Sequence, residues 1–175
     1  DTVMIIMLVM KPSSLQGERR RWAALGAVLL AQLMIVLDAT IVNVALPAIQ
    51  TDLHFSQSSL TWVVNAYLIT FGSFLLVAGR LGDLIGRRRV LLIGLAVFTA
   101  ASALCGLAQD MTQLVAYRGL QGLGAGVLMA TVFTVISTLF APADRAKMQG
   151  LFSAVFAFSS IVGPLLGGYL TDNLS

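Results

Sequence analysis

The chain has 175 residues, of which 58% are apolar and 11% are charged, and its mean hydropathy is +0.90. Soluble globular domains carry about 25% charged residues, so this composition excludes a water-soluble domain and predicts an all-α integral membrane protein. The net charge of +3 does not indicate nucleic-acid binding, because the basic residues are dispersed over separate connections rather than gathered on one face.

The predicted elements begin after residues 1–21, which we interpret as a cytoplasmic N-terminal segment. Residues 1–10 are apolar but too short to cross a bilayer. Five apolar stretches follow, and each approaches or exceeds the roughly 20 residues with which a helix crosses the hydrocarbon core. They are predicted to be helices at about 23–47, 60–79, 90–108, 111–140 and 148–170. The first is predicted to end at Pro47, and the fourth to include Arg118.

The basic residues predict the orientation of these helices. Ten of the eleven lysines and arginines fall before the first stretch, between the second and third, and between the fourth and fifth. They are Lys11, Arg19, Arg20, Arg21, Arg80, Arg87, Arg88, Arg89, Arg145 and Lys147. Cytoplasmic connections carry the excess of lysine and arginine. We therefore expect a cytoplasmic N-terminus and an external C-terminus.

Asp38 and Arg118 are the formal charges inside the predicted helices. Asp38 lies about 22 Å from the cytoplasmic side, and Arg118 lies about 8–10 Å from the outer side, at about 1.5 Å of rise per residue. Both charges then fall in the outer half of the bilayer, where they can form a pair. Charges inside a membrane are costly and mark functional sites, although a structural ion pair, or an arginine reaching the outer interface, remains an alternative.

Four motifs then carry a family resemblance. Residues 37–47 resemble the first-helix signature of the drug:proton antiporters with fourteen helices in the major facilitator superfamily. Residues 79–89 resemble motif A of the superfamily, and residues 163–168 resemble the antiporter motif C. The residues that match motif B in the fourth helix are Leu114, Arg118, Gln121, Gly122 and Gly124. The motifs occur in the order and on the helices that the superfamily requires.

The sequence departs from the family pattern at Leu84, Gly126 and Ser159, none of which removes a charged partner. The larger departure is length, since these transporters have two six-helix halves built from three-helix repeats. The resemblance implies that residues 22–172 are a partial N-terminal half, without its sixth helix and without the second half. The chain begins with Asp1 and stops just after the fifth helix, so we expect it to be a piece of a longer protein.

The resemblance implies roles for three groups of residues. It assigns proton coupling to Asp38 and Arg118. A cytoplasmic gate, or latch, is implied at Gly79, Asp83, Gly86 and Arg87, although the arginines equally serve to fix topology and to bind headgroups. The helix-five motif is implied to shape the central cavity, or else to give close helix contacts, through Gly163, Pro164, Gly167 and Gly168.

Four further polar side chains lie within the predicted helices, and they either line a cavity or form interhelical hydrogen bonds. They are Asn43, Asn65, Tyr67 and Gln121. An enzyme is not expected, because the sequence has no Ser/His/Asp set and no phosphate-binding loop, and its one histidine, His54, has no partner. No cofactor and no metal are expected.

The resemblance implies proton-coupled export of lipophilic or cationic drugs. Its partners would be the lipid bilayer, protons, a lipophilic small molecule and the missing remainder of the transporter. The expected location is a cell membrane crossed several times, with the bacterial cytoplasmic membrane as the first candidate. Export of a metabolite, peptide or lipid is one alternative, and a truncated membrane fragment that transports nothing is another.

The charge pattern makes a prediction about topology. Single cysteines introduced near His54 and Asp110 should react with a membrane-impermeant thiol reagent added outside intact cells. A cysteine at Arg88 should react only after the membrane is opened, because its connection is the most basic of the chain. Strong labelling of a cysteine at Arg88 in intact cells would show that the orientation is the reverse of the predicted one.

Overall fold

The structure, a computed structural model, describes residues 18–52, 56–140 and 142–174. His54 and most of the predicted N-terminal segment therefore lie outside the described residues. Five α-helices and one short π-helical segment account for nearly all of these ranges. The elements are α1 (Glu18–Asp52), α2 (Gln57–Leu81), the π segment (Gly82–Gly86), α3 (Arg87–Gly106), α4 (Met111–Leu139) and α5 (Pro142–Leu174).

The helices extend past the apolar stretches from which they were predicted. Arg145 and Lys147, interpreted above as part of a connection, lie in the first two turns of α5. The prediction that Pro47 ends the first helix is wrong, because α1 continues through it to Asp52. Proline removes one backbone donor, but the other hydrogen bonds of a long apolar helix remain, and membrane helices tolerate that loss.

Within the part of the chain that the structure describes, four helical stretches are long and apolar enough to cross a membrane: Trp22–Gln50, Leu60–Gly106, Met111–Thr138 and Pro142–Tyr169. The second has 47 residues, about 70 Å if it were straight, and it contains both α2 and α3. The packing of these two helices against α4 shows whether the chain crosses once or twice in this stretch.

The helix α2 runs parallel to α4. Gly122 of α4 lies against the backbone carbonyl of Tyr67, and Gly126, one turn later, lies against the carbonyl of Phe71. A Cβ atom at Gly126 would stand 2.6 Å from that carbonyl oxygen, so the two backbones are in direct contact. Residue numbers rise together along both helices.

The helix α3 runs antiparallel to α4. Gly94 of α3 faces Val127, whereas Phe98, one turn later, faces Gly124. Since α2 and α3 point in opposite directions along α4, the chain reverses between them and the 47-residue stretch makes two passes. The reversal lies at the π segment, which ends at Gly86 with a φ of 92°. Glycine adopts this left-handed backbone without a Cβ penalty.

The helix α5 packs parallel to α1, with Gly163 against Thr40 and Gly167 against Ile41. The helix α4 lies antiparallel to α1, since Trp22 at the start of α1 contacts Phe140 at the end of α4. The five helices therefore alternate in direction, as five successive membrane crossings would. Of the membrane-spanning part of α4, 56% is buried, against 17% for α5, so α4 is the central helix of the bundle.

Candidate functional site

An ion pair joins α1 to the central helix. Arg118 Nη1 donates to Asp38 Oδ2 at 2.8 Å, and the exposed fractions of the two side chains are 4% and 13%. Each helix supplies one charge, and the antiparallel packing of α1 on α4 brings the outer part of α1 to the beginning of α4. The pairing partly offsets the cost of placing each charge away from water.

Gln121 completes the contact between α1 and α4. Its Nε2 donates to Asp38 Oδ1 at 2.7 Å, and its Oε1 accepts from Arg118 Nη1 at 2.7 Å. Arg118 and Gln121 are three residues apart on α4 and therefore lie on the same face of that helix. Only this amide orientation gives the arginine an acceptor and the carboxylate a donor. Both oxygens of Asp38 are thus bonded to α4.

Tyr67 of α2 covers the guanidinium group. The Arg118 Cζ lies 4.3 Å from the centroid of the Tyr67 ring, which is the geometry of a cation–π contact. The ring also stacks on Phe71 at 6.0 Å. The close approach of α2 to Gly122 holds the Tyr67 backbone against α4 and so positions this ring over the arginine.

The site also contains polar atoms without partners. Within the described residues, Tyr67 Oη and Arg118 Nε are buried and have no hydrogen-bond partner. Such atoms are costly to bury unless water or another group reaches them. In the network of Asp38, Arg118, Gln121 and Tyr67, both oxygens of Asp38 therefore have hydrogen-bond partners, whereas some polar atoms around the arginine have none.

Cys105 of α3 was not identified as a site residue from the sequence. Its thiol donates to Gln121 Oε1 at 3.6 Å, a weak contact that links α3 to the network. Nothing in the sequence pattern distinguishes Cys105 from a packing residue, since the contact depends on how α3 packs across α4.

Asp38 is accessible from a groove of about 550 Å³ between α1 and α3. The groove is lined by apolar side chains, including Met34 and Phe98, and by the hydroxyls of Thr99 and Ser102. Arg118 does not line it. The carboxylate therefore faces this groove, whereas the guanidinium is enclosed by protein.

The other predicted polar residues separate into two places. Tyr67 and Gln121 do not line an open cavity, because their exposed fractions are 5% and 0%; for Gln121 the interhelical hydrogen-bond interpretation fits the geometry. Asn43 and Asn65, in contrast, are exposed. They line a second groove, of about 480 Å³, between α1 and α2.

The residues of the predicted gate lie on or next to the chain reversal. Gly79 is in α2, Asp83 and Gly86 are in the π segment, and Arg87 begins α3. The side chains of Asp83 and Arg87 are exposed. Asp83 forms no ion pair with any residue whose side chain the structure describes.

The helix-five motif divides between packing and exposed positions. Gly163 and Gly167 are buried against α1, which is the close-contact interpretation of these glycines. Pro164 is exposed and lies within the continuous helix α5. A Cβ atom at Gly168 would meet nothing within 4 Å. Two of the four residues therefore serve the α1–α5 contact.

Comparison with known proteins gives a consistent result. The family model described as Major Facilitator Superfamily matches residues 28–175. The chain is 43% identical over 166 residues to the multidrug transporter protein MdtP of Bacillus subtilis, covering 95% of this chain and 30% of that protein. It is 44% identical over 158 residues to the puromycin resistance protein pur8 of Streptomyces alboniger, covering 90% and 31%.

A probable actinorhodin transporter of Streptomyces coelicolor is 42% identical over 154 residues, covering 87% of this chain and 26% of that protein. The chain thus spans less than a third of the length of these relatives. The superfamily resemblance drawn from the four motifs is confirmed.

The geometry of the network predicts strong coupling between its two charges. Arg118→Met and Asp38→Asn should each lower the free energy of unfolding by about 3–5 kcal/mol, because each leaves one buried charge without its partner. The double variant should lose less than the sum of the two, by at least about 1 kcal/mol. Unfolding in mixed detergent micelles measures the free energy of unfolding of the wild type, the two single variants and the double variant. Additive losses would show that the pair contributes no interaction energy.

Proposed function

Because this chain belongs to the Major Facilitator Superfamily, we propose that it is the N-terminal segment of a proton-coupled exporter of lipophilic or cationic compounds. The observation that carries the proposal is the buried Asp38–Arg118 pair, which joins two helices and lines an open groove only through its acidic member. A group that accepts a proton in one conformation and releases it in another must be both reachable and coupled to a helix contact. Asp38 meets both conditions.

Protonation of Asp38 would weaken the contact between α1 and α4. A neutral carboxyl no longer attracts the guanidinium as a counter-ion, and the Coulomb attraction between the two charges is lost. Arg118 would then be left buried without a counter-ion. Gln121 Oε1 and the face of the Tyr67 ring remain as its partners, and they lower the cost of that state.

The two protonation states therefore differ in how firmly α1 is held to α4. Transporters of this kind alternate access by rocking rigid parts around a central site. If the α1–α4 contact differs between the two access states, binding and release of a proton at Asp38 becomes tied to the movement of cargo. This is the requirement for antiport.

The cargo class rests on the names of the relatives. Two of them are named for multidrug transport and for puromycin resistance, which supports export of lipophilic, often cationic, small molecules. The relative named as a probable actinorhodin transporter supports the second candidate, export of a metabolite. Competition of each compound class for proton-driven export by the full-length transporter separates the two.

The remaining parts of the proposal concern orientation and gating. The exposed arginines around the π segment, Arg80, Arg87, Arg88 and Arg89, support a cytoplasmic position for the α2–α3 reversal and an external end for α5. Asp83 and Arg87 would belong to a cytoplasmic gate whose other partners come from the remainder of the transporter. The remainder of the transporter would also lie opposite the exposed side of α5 at Pro164, and the central cavity would lie between them.

Replacement of Asp38 tests the proposal. Asp38→Asn in the full-length transporter should abolish proton-driven export while leaving membrane insertion intact, because the amide cannot carry a proton between the two states. Arg118→Ala should shift or abolish the pH dependence of export. Uptake of substrate into inverted vesicles, driven by an imposed pH gradient, measures both.

The matched control is Asp144→Asn, which removes an exposed carboxylate from the first turn of α5. It should leave transport unchanged. If Asp38→Asn keeps the wild-type rate and pH dependence, the buried carboxylate is structural and the proton is carried elsewhere.

A further inference from the structure

Three side-chain amides line the groove between α1 and α2, those of Asn43, Gln50 and Asn65, and two of them are exposed on the outside of the bundle. Asn43 of α1 and Asn65 of α2 both line it, and both are exposed. They lie within the membrane-spanning stretches Trp22–Gln50 and Leu60–Gly106. Asn65 is five residues past Leu60, or about 8 Å into its span.

Neither amide is satisfied by the protein that the structure describes. Asn43 and Asn65 form no hydrogen bond to any described residue, although each amide offers two donors and an acceptor. Lipid tails cannot supply partners, because the hydrocarbon region holds no hydrogen-bonding groups. A polar side chain at such a position is costly unless water or a ligand reaches it.

The chemistry of the groove is polar but uncharged. Leu46 and Val64 supply apolar walls and Thr61 supplies a hydroxyl, and none of the described residues that line the groove is acidic or basic. Asp38 lies five residues before Asn43, about 7.5 Å along α1, and lines the other groove. The volume of about 480 Å³ falls within the range of small-molecule sites, about 300–1,000 Å³.

We propose that this groove, which we call the amide groove, binds the uncharged hydrogen-bonding part of the export cargo through Asn43 and Asn65. Hydroxyl, amide and ring-nitrogen groups are the chemical class that fits, with water in their place when no cargo is bound. The proposal rests on the proposed export function, since it assigns one recognition element of that function. The groove gives specificity among cargo molecules and plays no part in carrying the proton.

Two cations that differ in hydrogen bonding test this assignment. Puromycin is an amino-nucleoside with hydroxyl, amide and ring-nitrogen groups, whereas tetraphenylphosphonium is a lipophilic cation with none. Equilibrium binding of each radiolabelled compound is measured on the purified full-length transporter, without a proton gradient. The variants are Asn43→Leu and Asn65→Leu, which keep approximate size and remove the amide.

Each variant should weaken puromycin binding about 3- to 10-fold, the loss expected for one or two hydrogen bonds, and should leave tetraphenylphosphonium binding unchanged. Retained binding of the second cation shows that the variant is folded. The matched control is Gln149→Leu, which removes an exposed side-chain amide from α5 outside both grooves. It should bind both compounds as the wild type does.

Unchanged puromycin affinity in both variants would overturn the proposal, and so would an equal loss of both ligands in both variants, because that pattern indicates a packing role. Wild-type protein that binds neither compound would overturn it as well. Binding at equilibrium does not require proton coupling. If Asp38→Asn exports at the wild-type rate while Asn43→Leu and Asn65→Leu selectively lose puromycin binding, the coupling mechanism is refuted and the assignment of the amide groove stands.

Discussion

A carboxylate and a guanidinium placed inside a membrane are stabilised only while they remain together, and this constraint determines the arrangement of the bundle. Asp38 and Arg118 come from helices that are distant in sequence, so their contact at 2.8 Å requires α1 and α4 to pack antiparallel in one register. Gln121 fixes that register further because it bonds to both charges. A shift of one residue along either helix would break the two hydrogen bonds that join Asp38 to α4.

The glycine contacts around α4 support the same site. Close approach of α2 at Gly122 places the Tyr67 ring on Arg118, and the approach of α3 at Gly124 brings Cys105 within reach of Gln121. These contacts hold α2 and α3 on α4, whereas Asp38 alone belongs to α1. The network thus joins two groups of helices. The group of α2, α3 and α4 carries Arg118, and the group of α1 and α5 carries Asp38.

Much of this arrangement could be predicted from the sequence. Apolar length predicted the helices, and helix depth placed Asp38 and Arg118 at a similar level. The extent of α1 past Pro47 was missed, because one lost donor does not end a helix with many remaining hydrogen bonds. The sequence did not decide whether Tyr67 and Gln121 line a cavity or lie buried between helices. Only the packing of α2 on α4 decides between these alternatives. Cys105 carries no sequence signal, since its contact depends on the rotation of α3.

The central claim is that Asp38 exchanges its proton when cargo binds, and proton release from the purified full-length transporter tests this most directly. Tetraphenylphosphonium is the appropriate ligand because it has no titratable group of its own. Added to the protein in weakly buffered detergent solution, it should release protons from the wild type and none from Asp38→Asn. Equal release from both proteins would show that the proton comes from another group and would contradict the account.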